Sequence, residues 1–134
     1  MTARSKARKR ALDLLYASEM RNRSTDDALA EQSEAGQVND YTIELVRGVT
    51  EHRARLDEVI STYSQGWTLD RMPALDRNVL RMATFEVLYV DDVPDAVAVS
   101  EALLLVRDLS TDESPAFVNG VLGNIVRDRD TLAR

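Results

Sequence analysis

Apolar residues in this chain recur at helical spacing, and no segment alternates apolar and polar residues with a period of two. Ala11, Leu14, Leu15 and Ser18, for example, follow the i, i+3, i+4, i+7 pattern of one helix face. A half-buried strand would need strict alternation instead. Five glycines and three prolines in 134 residues are also too few for a loop-rich β fold. We therefore predict an all-α protein.

Start and stop signals divide the chain into about seven predicted helices joined by short loops. Ser24 followed by Asp27 resembles a capping box, and Gly66 ends a helix. Ser114 and Pro115 form an N-cap and first-turn pair. The predicted helices cover about residues 3–21, 25–35, 40–52, 53–66, 74–90, 96–109 and 115–126.

The fifth predicted helix is apolar on nearly all sides, which is typical of a helix at the centre of a domain. A bend at residues 67–73 precedes this helix and divides the chain near its middle. We expect one domain built from two small helical bundles that share a core. The bundles are predicted at about residues 1–66 and 67–126, followed by a frayed tail at residues 127–134.

Positive charge is concentrated at the start of the chain. Residues 1–10 hold five of the 17 basic residues and no acid, so residues 11–134 hold the other 12 against all 23 acids. An acidic body with one basic end indicates a local contact with a polyanion. A solvated terminus that binds nothing is the alternative, and charge alone leaves both interpretations open.

The composition excludes most kinds of catalytic and metal site. The chain has no cysteine, no glycine-rich phosphate loop and a single histidine, His52, which we interpret as a surface helix residue. Glu86 falls among apolar helix positions, so we interpret it as a buried, hydrogen-bonded acid. We expect no enzyme activity, no metal and no cofactor. Because no segment approaches about 18 consecutive apolar residues, we also expect no membrane span and a cytoplasmic location.

The N-terminal helix carries the first candidate site. At a helical rotation of about 100° per residue, Lys9 and Tyr16 share one azimuth, with Lys6 on the adjacent strip. Arg4 and Arg8 project near the apolar face, so we infer that the first two turns overhang the body and present cations to solvent. Cations attract RNA phosphates, and Tyr16 can stack an unpaired base. The alternative places Tyr16 at the rim of the core.

Two later helices carry further candidates. Phe117 lies about 100° from the centre of the buried stripe of the last helix, so its ring can be exposed. Gly120 and Gly123 leave a strip without side chains, which we interpret as a place where another helix packs closely. In the sixth helix, Leu103 and Leu104 lie off the apolar stripe. They form either a second buried face or an exposed patch for a partner.

Four segments, taken together and in this order, resemble the NusB family of bacterial transcription antitermination factors. The resemblance runs nearly from end to end of the chain, and the FVNGVL segment together with LDRNVLR is its most specific part. The segments are ARKRALDLLY at 7–16, LDRNVLR at 75–81, DVP at 92–94 and FVNGVL at 117–122.

This resemblance implies an all-α RNA-binding protein that catalyses no reaction. It implies binding of the single-stranded boxA element in ribosomal RNA leaders, as a heterodimer with the ribosomal protein NusE. The complex would join other Nus factors on RNA polymerase and suppress transcription termination in ribosomal RNA operons.

The resemblance also implies roles for individual residues. It assigns NusE contact to the region of the fourth to sixth helices, including Tyr63, Leu103 and Leu104. The residues it assigns to RNA contact are Arg4, Lys6, Arg8, Lys9, Tyr16, Asp76, Glu113 and Phe117.

Two other functions are weighed against this one. The first is an RNA-binding helical domain related to the N-terminal domain of ribosomal RNA cytosine-5 methyltransferases, although this chain has no cysteine nucleophile. The second is a purely structural helical protein that dimerises through Leu103 and Leu104 or through its basic helix, in which case RNA should not compete with dimer formation.

Overall fold

A computed structural model describes residues 2–132, which form seven α-helices, two short 3-10 helices and no strand. The all-α prediction is confirmed, and each α-helix begins and ends within three residues of its predicted bounds. The 3-10 helices cover Leu69–Arg71 and Arg129–Thr131. The α-helices are α1 Ala3–Met20, α2 Thr25–Ala35, α3 Asp40–Glu51, α4 Arg53–Tyr63, α5 Ala74–Tyr89, α6 Asp95–Leu109 and α7 Ser114–Arg127.

Side-chain caps fix the starts of the early helices. The Ser24 hydroxyl accepts a hydrogen bond from the backbone N–H of Asp27 at 3.1 Å, as the capping-box pattern predicts. The predicted Ser114 cap of α7 is wrong. Ser114 is the first residue of that helix, and its buried hydroxyl donates instead to Asp76 at 2.7 Å. The hydroxyl therefore bonds to a buried carboxylate and does not cap the unpaired backbone N–H groups of its own helix.

Helix α5 is the centre of the fold, as its apolar pattern predicts. Every residue from 78 to 88 is buried, and the helix contacts α1, α3, α4, α6 and α7. At Gly48 in α3, the ring of Phe85 lies 2.1 Å from the position that a Cβ atom would occupy. Only glycine therefore lets α3 approach α5 this closely. The division into bundles at residues 1–66 and 67–126 stays a prediction.

Helix α1 runs antiparallel to α5 and lies flat on it. Near the start of α1, Arg8 bonds to Glu86 near the end of α5, and near its end Glu19 bonds to Arg77 at the start of α5. Between these two contacts Ala11, Leu12, Leu14 and Leu15 are buried, and Ala17 is half-buried. The prediction that the first two turns overhang the body is therefore wrong.

Two surface predictions are also wrong. His52 lies between α3 and α4, half-buried, with its ring stacked on Tyr89 at a centroid distance of 4.1 Å. The segment predicted as a frayed tail is ordered up to residue 132. Arg129 forms an ion pair with Asp95 at 3.2 Å, and Leu132 packs against the core. The last two residues of that predicted tail lie outside the described part of the chain.

Within residues 2–132, no helix combines the length and the apolar character that a membrane crossing requires.

Candidate nucleic-acid interface

Arg8 is a buried structural residue and not a surface cation. Its side chain is 3% exposed, and its guanidinium nitrogens lie 2.9–3.1 Å from the carboxylate of Glu86, which is itself 1% exposed. A third nitrogen pairs with Glu101 of α6 at 3.2 Å. The predicted exposure of Arg8 to RNA is therefore wrong, because the buried acid neutralises its charge inside the protein. The prediction that Glu86 is a buried, hydrogen-bonded acid is confirmed.

Tyr41 of α3 completes this buried cluster. Its hydroxyl donates to Glu86, and its ring lies 5.6 Å from the Arg8 guanidinium carbon. Burial, together with the hydrogen bond and the negative charge of Glu86, raises the pKa of Tyr41 well above its ordinary value. The cluster therefore joins α1, α3, α5 and α6.

Arg4 occupies an intermediate position at the edge of the same cluster. Its guanidinium carbon lies 4.3 Å from the centroid of the Tyr41 ring, and a terminal nitrogen lies 3.0 Å from Asp92. The hydrogen bond to Asp92 raises the pKa of Arg4 despite some desolvation. Because its side chain is still partly exposed, Arg4 can contact a ligand, but Asp92 competes for its charge.

Lys6, Lys9 and Arg10 are exposed cations of α1, and the Arg10 guanidinium bonds to the side-chain oxygen of Gln32. Lys6 and Lys9 are available to a ligand, since within residues 2–132 Lys9 pairs only with Asp13, one helical turn away at 3.5 Å. Such an exposed pair contributes little to stability and separates readily. Tyr16 is 38% exposed and lies two turns beyond Lys9. We call Lys6, Lys9 and Tyr16 the basic face of α1.

Asp76 is a buried acid at the first turn of α5, and its contact with RNA stays a prediction. Its two carboxylate oxygens accept hydrogen bonds from the hydroxyls of Ser110 at 2.6 Å and Ser114 at 2.7 Å. These bonds fix the beginning of α7 against the first turn of α5. Asp76 therefore positions the residues at the start of α7.

Phe117 is half-buried at the start of α7, and its ring lies 5.6 Å from that of Trp67. Glu113 is exposed beside it. The two rings line a cavity of about 830 Å³ together with Arg71, Asp112 and Glu113, which we call the aromatic groove. Sequence reasoning missed Trp67 and Arg71. The available signal was the single tryptophan of the chain, placed in a segment predicted to be a bend.

The two candidate segments approach each other at the first turn of α5. Glu19, three residues after Tyr16, bonds to Arg77, while Ser114, three residues before Phe117, bonds to Asp76. The cations lie towards the other end of α1, since the 12 residues from Arg4 to Tyr16 span about 18 Å at 1.5 Å per helical residue. A ligand that touches both segments must therefore be extended.

The residues predicted to contact NusE lie elsewhere. Leu104 is 46% exposed and Leu103 is half-buried, beside a cavity of about 630 Å³ that Gly123 also lines. The hydroxyl of Tyr63 donates to Asp128 at 2.7 Å, which raises the pKa of Tyr63. The expected close helix packing at Gly120 and Gly123 is wrong, since no described atom lies within 4 Å of a Cβ position there.

Sequence comparison with known proteins finds NusB proteins as relatives of this chain. The profile described as the NusB family matches residues 5–127. The transcription antitermination protein NusB of a Nocardioides species is 65% identical over 137 residues, covering 99% of this chain and all of the relative.

Solved structures agree with the sequence comparison. The structure of T. maritima NusB superposes with a TM-score of 0.83 at 31% identity, covering 95% of this chain and 92% of that one. NusB in a complex of NusB and NusE with double-stranded RNA has the same fold, with a TM-score of 0.81 at 24% identity and coverages of 92% and 96%. The chain belongs to the NusB family of transcription antitermination proteins, which are not enzymes.

Proposed function

We propose that this protein binds the single-stranded boxA element of ribosomal RNA leaders together with NusE, and thereby suppresses transcription termination in ribosomal RNA operons. In this proposal the heterodimer acts on RNA polymerase with other Nus factors. The observation that carries the proposal is the basic face of α1, on which Lys6 and Lys9 stay exposed beside Tyr16 while Arg8 is neutralised inside the protein.

The charge distribution supports local RNA binding. The body of the protein repels a polyanion, because residues 11–134 hold 12 basic residues against 23 acids. Phosphates are therefore attracted mainly to the start of α1. A single strand suits this surface because its unpaired bases can stack on Tyr16 and Phe117, whereas the bases of a duplex are already stacked on each other.

NusE is assigned in this proposal to the surface that includes Leu103 and Leu104. Leu104 is one of the few large apolar side chains that are well exposed in the described chain. Burying it against a partner removes apolar area from water. The adjacent strip at Gly120 and Gly123 lets a partner backbone approach α7 closely.

The alternative functions have less support. The relative that is matched over its whole length is named a transcription antitermination protein, which favours an antitermination factor over a methyltransferase domain. A NusB of this fold forms a complex with NusE and double-stranded RNA, so both strand states of the RNA belong in the test.

Fluorescence anisotropy with a labelled boxA oligonucleotide tests the proposal. The comparisons are a scrambled strand of equal composition and the boxA strand annealed to its complement, each with and without NusE. We expect weak binding of single-stranded boxA alone and tighter binding with NusE. Equal affinity for all three RNAs, or no effect of NusE, would contradict the proposal.

A further inference from the structure

The aromatic groove holds an exposed ring that the fold itself does not explain. Trp67 is 51% exposed, and its ring is inclined by 41° to the ring of Phe117. Tryptophan buries a large apolar area when it meets a partner, and exposed tryptophans are enriched at binding surfaces. The Trp67 ring therefore extends the surface that Phe117 presents at the start of α7.

The backbone before Trp67 forms a closed turn. Gln65 and Gly66 both adopt left-handed conformations, with φ of 47° and 89°. This conformation is unfavourable for a residue with a side chain and accumulates at functional sites. The turn is closed by the Trp67 N–H, which donates to the carbonyl of Ser64 at 3.2 Å. The turn thus fixes the backbone from which the indole extends.

The polar groups around the rings are available to a ligand. Arg71 is exposed and makes no ion pair with any other residue between 2 and 132. Asp112 and Glu113 are also exposed, and their carboxylates make no hydrogen bond or ion pair in that part of the chain. The groove therefore offers one free cation and two acceptor groups beside two aromatic rings.

We infer that the aromatic groove is a nucleotide-binding subsite in which a base stacks on Trp67 and an adjacent phosphate pairs with Arg71. This inference rests on the proposed RNA-binding function and extends it to residues outside the basic face of α1. The carboxylates of Asp112 and Glu113 only accept hydrogen bonds. They fit guanine best, because guanine presents two neighbouring N–H donors, and uracil least, because carbonyl oxygens flank its single donor.

A nucleotide explains the groove better than a basic side chain of a protein partner. Aromatic rings and carboxylates also suit lysine or arginine, and the acids of the groove outnumber Arg71, so it is the size of the groove that favours a nucleotide. The cavity of about 830 Å³ also exceeds what one side chain fills and lies in the range of small-ligand sites. The acids disfavour a phosphate beside them, so in this arrangement the base faces Asp112 and Glu113 and the phosphate lies at Arg71.

Trp67 reports on this subsite directly because it is the only tryptophan of the chain. We expect boxA RNA to quench its emission with the same midpoint as the anisotropy of labelled RNA. Trp67→Ala should weaken RNA binding about 5- to 150-fold, the usual range for one stacked base. Trp67→Phe keeps a ring and should retain most of the affinity.

Matched variants separate the subsite from general effects. Arg71→Ala should weaken binding, whereas Arg47→Ala removes another exposed arginine, on α3, and should not. Guanosine monophosphate should compete with labelled RNA at lower concentration than uridine monophosphate. Thermal unfolding of each variant shows that the fold is intact.

The outcomes distinguish this inference from the proposed function. If RNA binds with unchanged Trp67 emission and Trp67→Ala keeps wild-type affinity, the subsite is wrong while the RNA-binding function stands. If Trp67→Ala weakens binding of NusE and not of RNA, the groove is a protein site and the inference is overturned. If the wild-type chain binds no RNA with or without NusE, both fail.

Discussion

The two ends of α1 are attached to α5 by ionic clusters of opposite polarity. Near the start of α1, Arg8 supplies the cation and Glu86 of α5 the acid, in a setting closed to water. Near the end, Glu19 supplies the acid and accepts hydrogen bonds from Arg77 and Asn78 of α5, with part of its side chain still exposed. The same pair of helices thus has one buried and one open attachment.

The buried cluster contributes most to stability, whereas the two clusters together determine how α1 is aligned on α5. Removing either partner of a buried ion pair leaves an uncompensated charge in the core. The open cluster has spare partners, since Arg81 also bonds to Asp57 at 2.7 Å and Arg77 also bonds to two backbone carbonyls. Reversed polarity also opposes a parallel arrangement of α1 on α5, because like charges would then meet. Together the clusters fix which face of α1 remains outside.

Removal of the buried acid should produce the largest effect. Glu86→Ala leaves the Arg8 charge unpaired in the core and should lower the free energy of unfolding by about 3–5 kcal/mol, measured by urea denaturation. The double variant Arg8→Met with Glu86→Leu should regain most of that loss, because neither charge remains. A loss below about 1 kcal/mol in Glu86→Ala would contradict the buried cluster.

Tyr41 gives the buried cluster its pH dependence. Tyr41→Phe removes a hydrogen bond to a buried carboxylate and should lower the free energy of unfolding by about 1.5–3 kcal/mol at neutral pH. The folded protein holds the pKa of Tyr41 above its ordinary value, so this contribution is complete below about pH 10 and is lost as pH rises above it. Denaturation at a series of pH values should show the wild-type advantage shrinking there. A constant difference would be inconsistent with this role.

The open cluster should respond less strongly and at acid pH. Glu19→Gln should lower the free energy of unfolding by about 1–2 kcal/mol, because its partners retain other acceptors. Burial alone would raise the pKa of Glu19, but the hydrogen bond from Asn78 and the charge of Arg77 outweigh it and lower that pKa. The contribution is therefore complete above the ordinary pKa of a glutamate and is lost as pH falls below it. Equal acid sensitivity of wild type and Glu19→Gln would argue against the cluster.

Lys9, the neighbour of Arg8, should have the smallest effect on stability. Lys9→Ala breaks only an exposed pair and should change the free energy of unfolding by less than about 0.5 kcal/mol. The affinity of this variant for RNA should fall nonetheless, because an exposed cation is lost. Denaturation and anisotropy on the same preparation check both expectations, and a large loss of stability would place Lys9 in the structural cluster.

Most of the fold could be predicted from local sequence. The cap at Ser24 and the all-round apolar pattern of α5 depend on residues close together in the chain, and both appear as expected. Ser114 could not be predicted in this way, because the carboxylate that its hydroxyl contacts lies 38 positions earlier. Tertiary contacts decided the position of that hydroxyl against its local preference.

The candidate site was harder to predict for the same reason. Arg8 and Lys9 are adjacent in a basic run, yet a rotation of about 100° turns one into the core and the other to solvent. The partner of Arg8 is 78 positions away, so its burial could not be read from the run itself. A signal existed, since an arginine on an apolar face and a glutamate among buried positions can satisfy each other. Trp67 gave no periodic signal because it lies in a loop.

The most direct test of RNA binding at the basic face of α1 is the salt dependence of boxA binding to a Lys6→Ala, Lys9→Ala double variant. Wild type and Arg47→Ala serve as references, and affinity is measured at several salt concentrations. Each lost phosphate contact flattens the slope of log K against log salt by about 0.7 for a single strand. We predict a slope shallower by about 1.4 in the double variant and unchanged in Arg47→Ala. A double variant with the wild-type slope would contradict the account.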